Sequence, residues 1–143
     1  GLRTIEAGAK ESGRSLADLD VVLWTPTSIL ENRAAARNVV KAHVARIVIR
    51  PLPAELPPDD MAHVERIRRE YDYYQHMVNV AGHGATVPDS LVDHFALAGT
   101  PEECAEQLQR IAQTGVNQVA IVPFVTPGDS RARVIEAFAR LPL

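Results

Sequence analysis

Residues 95–123 read FALAGTPEECAEQLQRIAQTGVNQVAIVP and contain the clearest structural unit of the chain. Thr100 and Glu103 have the spacing of a capping box, in which each side chain binds a free backbone amide at a helix start. Pro101 suits the first helical position, and a glycine suits the end of the helix. The apolar run at 119–122 then predicts a buried strand after this helix.

A second unit of the same kind precedes it in the chain. Residues 21–24 (VVLW) form an uninterrupted apolar run, which predicts a strand that ends at Pro26. Ser28 and Glu31 again have capping-box spacing, so a helix is expected from there to Pro51. A further helix is expected before the strand, and it should end at Gly13 in a left-handed conformation.

The segment between the two units, residues 51–95, is predicted to be an all-helical excursion. It opens with a proline-rich loop, and Asp59 or Asp60 is expected to cap the helix that follows. Apolar residues then recur at steps of three and four, which predicts one amphipathic helix with a buried stripe of Val64, Ile67, Tyr71, Tyr74 and Val78. The order is therefore α-β-α, a helical excursion, and α-β-α again.

Two buried strands are too few for an independent sheet. A buried parallel strand needs neighbours on both sides and helices over both faces, and two strands cannot provide them. A (β/α)8 barrel has eight strands in typically about 250 residues. We therefore expect residues 1–143 to be the C-terminal part of a TIM barrel, an α/β fold with about two of its parallel strands. The alternative is a small self-sufficient α/β domain.

Composition narrows the classes of partner. The net charge of −3 argues against nucleic acid, because phosphate binding needs a basic surface. Cys104 is the only cysteine, which excludes an internal disulfide, and no apolar run approaches the roughly 20 residues that span a bilayer. The five histidines lack the spacing of a metal site. We expect a cytoplasmic protein with no metal, membrane or nucleic-acid partner.

The order of these motifs resembles one enzyme superfamily. The stretch 95–103, the Gly115-Val116 pair and the strand at 119–123 resemble the last β/α unit of luciferase-like monooxygenases. Residues 13–15 and 20–23 resemble the turn and seventh strand of that family, and the helix start at 31–37 is similar as well. The resemblance is strongest to deazaflavin-dependent members similar to methylenetetrahydromethanopterin reductase, and the alanine- and arginine-rich composition fits actinobacterial members of that group.

The resemblance implies an oxidoreductase. Coenzyme F-420 (a deazaflavin), or alternatively FMN, would exchange a hydride with a small organic substrate, and the protein would supply orientation and exclude water. This chain would form one wall of the pocket, in association with the missing N-terminal part of the barrel or within a homo-oligomer. The alternative is a non-catalytic fragment that acts as an association module through uncovered sheet edges.

Candidate site residues follow from the rule that barrel active sites lie at the carboxyl ends of the strands. Trp24 and Thr25 are expected to contact the cofactor, although Trp24 could instead pack between sheet and helix. Tyr73 and His76, three residues apart, form a candidate catalytic pair, with a solvated helix face as the alternative. His83, between two glycines, is a candidate cofactor contact or an ordinary turn residue. The same rule points to the residues after the second strand, namely Pro123, Phe124 and Thr126.

Overall fold

Three parallel strands form the sheet of this α/β structure. The computed structural model describes residues 1–52, 55–75 and 82–141. The strands are β1 (Val22–Ile29), β2 (Leu97–Gly99) and β3 (Gln118–Pro123), and their order in the sheet is β2-β1-β3. β1 pairs with β3 from Val22 to Thr27, and with β2 from Thr27 to Ile29. The central strand therefore has β3 along most of its length and β2 only at its carboxyl end.

Six α-helices surround the sheet in the described residues, and short 3-10 turns connect some of them. The helices are α1 (Leu2–Glu11), α2 (Arg33–Val48), α3 (Pro58–Glu70), α4 (Asp89–Phe95), α5 (Pro101–Ala112) and α6 (Arg131–Ala139). The turns are at Leu16–Asp18, Tyr73–Gln75 and Gly82–Thr86.

Two hydrophobic cores lie on opposite faces of the sheet. Ala98 packs in a core with residues of α2, α3 and α4, whereas its neighbour Leu97 packs in a core with residues of α5 and α6. Successive side chains of a strand point to opposite faces, so the two cores are on opposite sides. The α2–α4 segment therefore covers one face near the carboxyl ends of the strands, and α5 and α6 cover the other.

β1 is longer than the sequence predicted, and Pro26 lies inside it. The carbonyl oxygen of Thr27 accepts from the Phe124 amide on the β3 side, whereas the Leu30 amide donates to Gly99 on the β2 side. Backbone groups alternate between the two sides, so Pro26 would direct its amide toward β2. β2 pairs with β1 only from Thr27 onward, so no partner strand lies beside Pro26 on that side. The N–H that proline lacks therefore costs the sheet no hydrogen bond. The prediction that Pro26 ends the strand was wrong for this reason.

Other boundaries also differ from the prediction. Ser28 is buried in β1, and Asn32 caps α2 instead, accepting from the Ala35 amide. α3 begins at Pro58 with Pro57 in the cap position, so the two aspartates lie in its first turn. It ends at Glu70, which leaves Tyr71 buried but Tyr74 fully exposed at 102%. The predicted stripe was correct up to Tyr71 and wrong at Tyr74, while Val78 lies outside the described residues.

The strongest sequence signals are confirmed. Thr100 accepts from the Glu103 amide, and the Glu103 carboxylate accepts from the Thr100 amide at 3.0 Å, which completes the capping box of α5. Gly13, with φ of 71°, follows the end of α1 as expected. The three-residue strand β2 was missed, because so short a run carries no periodicity of its own.

One half of a sheet face is open. Val22 and Trp24 of β1 are exposed, and Trp24 retains 73% of its accessible surface. The prediction of strands buried on both faces therefore fails within this chain. Two strand edges are also unpaired within the residues that the structure describes. Residues Val22–Pro26 of β1 have no partner strand on the edge that faces away from β3, and β3 has no partner on the edge that faces away from β1.

Candidate functional site

The open half of the sheet face continues beneath α2, which covers the same face at the carboxyl ends of the strands. Trp24 is paired with Ala120, and Pro26 with Val122, so these four side chains share one face. The face becomes buried at Pro26, whereas Trp24 is exposed. These side chains form an apolar strip of sheet, with the exposed Trp24 indole at one end and α2 over its carboxyl end.

Trp24 and Thr25 were predicted to follow the first strand, but both lie within it. Because β1 continues to Ile29, the carboxyl end lies several residues beyond them. Thr25 is 6% exposed, and its hydroxyl donates to the Pro26 carbonyl oxygen at 3.3 Å. It also faces α5 and α6, on the opposite side from Trp24. The structure therefore does not bring this pair together, and Trp24 does not pack between sheet and helix.

The other predicted site residues lie in the connection between α3 and α4. Tyr73 is 70% exposed in the turn Tyr73–Gln75, and its ring meets the Tyr71 ring edge-on at a centroid distance of 5.0 Å. His76 lies outside the described residues, as does the side chain of His83. The expected helix that would place Tyr73 and His76 on one face ends before either residue. Their catalytic role stays a prediction.

The turn that contains His83 nevertheless packs directly on α2. A side-chain carbon added to Gly84 would lie 3.0 Å from the backbone nitrogen of Ala42. Glycine is required here because the two backbones approach closely. This contact holds the Gly82–Thr86 turn against α2 at Ala42, the residue that precedes His43.

Phe124 and His43 form the rim of this strip at the carboxyl end of β3, where α2 meets the sheet. The Phe124 amide donates to the Thr27 carbonyl oxygen at 2.8 Å, so the β1–β3 pairing continues one residue beyond the strand. The ring of Phe124 lies 4.9 Å from that of His43, centroid to centroid, at an interplanar angle of 58°. Phe124 was among the residues to which the strand-end rule pointed. His43 was missed, because nothing in the helix pattern distinguishes it.

His43 is held neutral at ordinary pH. Burial, together with the positive charges of Arg46 and Arg50, lowers the pKa of its imidazole from 6.5 to about 4. A neutral imidazole has one N–H donor and one free lone pair. The rim therefore carries an uncharged group that can both donate and accept a hydrogen bond.

Charged and polar contacts join α2 and α3 to α4. Arg37 of α2, whose side chain is 5% exposed, binds Asp93 at 2.5 Å and Asp89 at 3.5 Å. Lys41 binds Asp89 at 2.9 Å, and its hydrogen bond is the main reason that the pKa of Asp89 is lowered. From the other side, the buried Asp60 of α3 accepts from Ser90 at 2.6 Å and lies 3.2 Å from His94. Both contacts are made by residues of α4.

The loop after β3 is ordered by its own side chains. The Thr126 hydroxyl donates to Asp129, and Arg133 donates to the same carboxylate at 2.6 Å. These two hydrogen bonds lower the pKa of Asp129. Asp129 is occupied within the turn that leads into α6, which gives this segment a structural role.

No group of three or more His, Cys, Asp or Glu side chains among the described residues is arranged to hold a metal ion. No helix in the same part of the chain is long and apolar enough to cross a membrane.

Comparison with known families decides the relationship. The profile of the family described as luciferase-like monooxygenase matches residues 1–118. The chain belongs to this family. Two relatives in the family are 5,10-methylenetetrahydromethanopterin reductases. The one from Archaeoglobus fulgidus is 28% identical over 80% of this chain and 35% of its own length. The one from Methanopyrus kandleri is 28% identical over 90% of this chain and 36% of its own length.

A solved structure from the family gives the same relationship in three dimensions. The coenzyme F-420 dependent tetrahydromethanopterin reductase from Methanopyrus kandleri matches with a TM-score of 0.66 and 27% identity, over 96% of this chain and 38% of that chain. The predicted α/β fold, part of a TIM barrel, is thereby confirmed. The chain spans 35–36% of the length of these two curated relatives.

Proposed function

We propose that this chain forms one wall of the active-site pocket in an oxidoreductase that uses coenzyme F-420. The enzyme would transfer a hydride between this deazaflavin and a small organic substrate. One observation in the structure carries the proposal, namely the apolar strip of sheet that runs from the exposed Trp24 to the contact between Phe124 and His43. The relatives support it as well, since the solved one is a coenzyme F-420 dependent reductase and the curated ones are named for a reduced pterin substrate.

The apolar strip suits a planar heterocycle. The Trp24 indole offers a flat apolar surface that is 73% exposed, and burial of such a ring contributes favourably to binding. The deazaflavin would supply the hydride chemistry, and the chain would bind and orient the ring system. α2 over the carboxyl end would exclude water, which strengthens polar contacts in the pocket. Tyr73, His76 and His83 remain proposed contacts at the connection between α3 and α4.

We propose that the remaining walls come from further strands of the same protein. Two strand edges present unpaired backbone groups in the described structure, namely that of β1 at Val22–Pro26 and the outer edge of β3. Such edges are ordinarily paired or covered. Strands on both edges would continue the parallel sheet toward a closed barrel. A cytoplasmic location and a homo-oligomer stay predictions.

A non-catalytic association module is the second candidate function. The same unpaired edges and the exposed Val22 and Trp24 are the observations that favour it. It predicts that the open face binds a protein surface and has no affinity for either cofactor. Cofactor binding therefore separates the two candidates.

The test is a titration of the full-length protein that contains this chain with coenzyme F-420 and, separately, with FMN. We expect saturable binding of F-420, and we expect Trp24→Ala to weaken it roughly tenfold through loss of ring contact. Tyr74→Ala is the matched control, because Tyr74 is a fully exposed aromatic residue that does not lie on the sheet. Binding of FMN alone would change the cofactor assignment. Binding of neither cofactor would overturn the redox function.

A further inference from the structure

We propose that His43 and Phe124 form a ligand-binding corner, which recognises a planar heterocycle that has adjacent N–H and C=O groups. Phe124 would contact the ring, and the His43 imidazole would bind the polar edge. This inference rests on the proposed function and deepens it, because both a deazaflavin and a reduced pterin carry such an edge. The experiment below distinguishes these two sources.

The first argument is position. Phe124 follows Val122 on the face that carries Trp24, and its amide is fixed to Thr27 at 2.8 Å. Its ring packs against the core beneath the α2–α4 segment. The contact with the His43 ring, at 4.9 Å between centroids, therefore places the imidazole where α2 meets the sheet.

The second argument is that His43 is unused within the described structure. Each nitrogen of an imidazole is a hydrogen-bonding group that can bind water or a ligand when no protein group occupies it. Neither ring nitrogen of His43 has a hydrogen-bond partner among residues 1–52, 55–75 and 82–141, whereas His94 is paired with Asp60. His43 is only partly buried, so a bound ligand can reach it.

The third argument is the charge state of the corner. Arg46, one turn further along α2, and Arg50, just beyond the end of that helix, lie near His43 and disfavour a third positive charge. Phe124 is the aromatic neighbour from the loop after β3 and adds no charge. A neutral imidazole beside two arginines suits a neutral or electron-rich lactam edge, since it can donate to a carbonyl oxygen and accept from a ring N–H.

The experiment is carbethoxylation of the full-length protein by diethyl pyrocarbonate, with the rate at each histidine measured by mass spectrometry. Free protein is compared with protein saturated by coenzyme F-420, by FMN or by 5,10-methylenetetrahydromethanopterin. We expect His43 to react in the free protein and to be protected at least fivefold by one of these ligands, and the protecting ligand identifies the source. His94, exposed on α4, is the internal control and should react at an unchanged rate.

Three outcomes overturn the inference. Unchanged modification of His43 with all three ligands, in samples in which F-420 is bound, shows that the imidazole lies outside the pocket, although the proposed function stands. Absence of modification in free protein shows that the ring is sealed in the core. If neither cofactor binds, the proposed function fails and the inference with it.

Variants separate ligand contact from a structural role. His43→Leu should lower kcat/KM roughly tenfold, the magnitude of one lost hydrogen bond at the upper end of its range. His43→Gln keeps a neutral donor and acceptor and should restore part of that loss. Equal activity of the two variants, or a fall in activity matched by a fall in thermal stability, would contradict direct recognition.

Discussion

Replacing Arg37 by methionine should loosen the α2–α4 segment from the sheet. The Arg37 guanidinium is almost fully buried and binds two carboxylates of α4, Asp89 and Asp93. Methionine has a similar length and no charge, so the variant removes the ion pairs while it limits the cavity that a smaller residue would leave. The expected effect is therefore electrostatic in origin and local to α4.

The magnitude follows from the exposure of the three groups. Removing one partner of a fully buried ion pair costs about 3–5 kcal/mol, because the other charge is left without compensation. Here the two carboxylates are 55% and 56% exposed, so water can solvate them again once Arg37 is removed. Lys41 also remains bound to Asp89. We expect a loss of about 2 kcal/mol, which is above the ~1 kcal/mol limit of surface pairs.

Hydrogen exchange measures this loss where it should occur. A local opening that becomes about 2 kcal/mol easier exchanges its amides roughly 30-fold faster. Peptides that cover α4 and β2 should show this acceleration when followed by mass spectrometry, whereas peptides from α6, on the opposite face, should not. The measurement reports on the segment even when global unfolding of the parent protein is not two-state.

Arg33→Met is the matched control. Arg33 binds Glu103 at 2.9 Å, but the two side chains are 55% and 39% exposed. This pair should contribute less than about 1 kcal/mol, and exchange should accelerate less than about fivefold. Equal effects of the two variants, or no acceleration in α4 for Arg37→Met, would refute the conclusion that burial makes the Arg37 contact the stronger one.

Three further predictions concern single residues. Gly99→Ala should cost at least about 1 kcal/mol in urea denaturation, because the new carbon collides with Glu103 and disrupts the cap of α5, whereas Gly8→Ala on open helix surface should not destabilise. Cys104 is buried, and burial raises its pKa to about 12, so native protein should resist iodoacetamide and denatured protein should react. The pKa of His43, lowered from 6.5 to about 4, means that the unfolded chain binds a proton that the folded chain does not. Stability should therefore fall as pH drops from 6.5 toward 4, and His43→Gln should reduce this fall, as urea midpoints across that range can check.

Local sequence signals predicted the elements whose ends have specific chemistry. The Thr100–Glu103 capping box and Gly13 were located correctly, because caps and left-handed glycines depend on a few neighbouring residues. The same kind of signal predicted a helix start wrongly at Ser28. Ser28 has capping-box spacing to Glu31, but it lies inside β1. Pairing with β2 and β3 extended β1 across that residue, and long-range hydrogen bonds of this kind leave no mark in a local pattern.

The candidate site divides in the same way. Trp24 and Phe124 were found because apolar runs identify strands, and strand ends identify barrel pockets. Thr25 was assigned to the pocket with Trp24, yet the alternation along β1 places it on the opposite face. His43 had no sequence signal, since its position depends on how α2 packs over β3.

The sequence by itself determined the class of fold, the family and the order of the elements other than β2, because these depend on local caps, apolar periodicity and motif order. Only the tertiary structure decided that the strand with Trp24 has one open face, that Pro26 and Ser28 lie within it, and that His43 meets Phe124 at the rim. The physical reason is that register and helix packing bring together residues far apart in the chain. The contact between His43 and Phe124 joins residues from two different elements, and no local pattern specifies it.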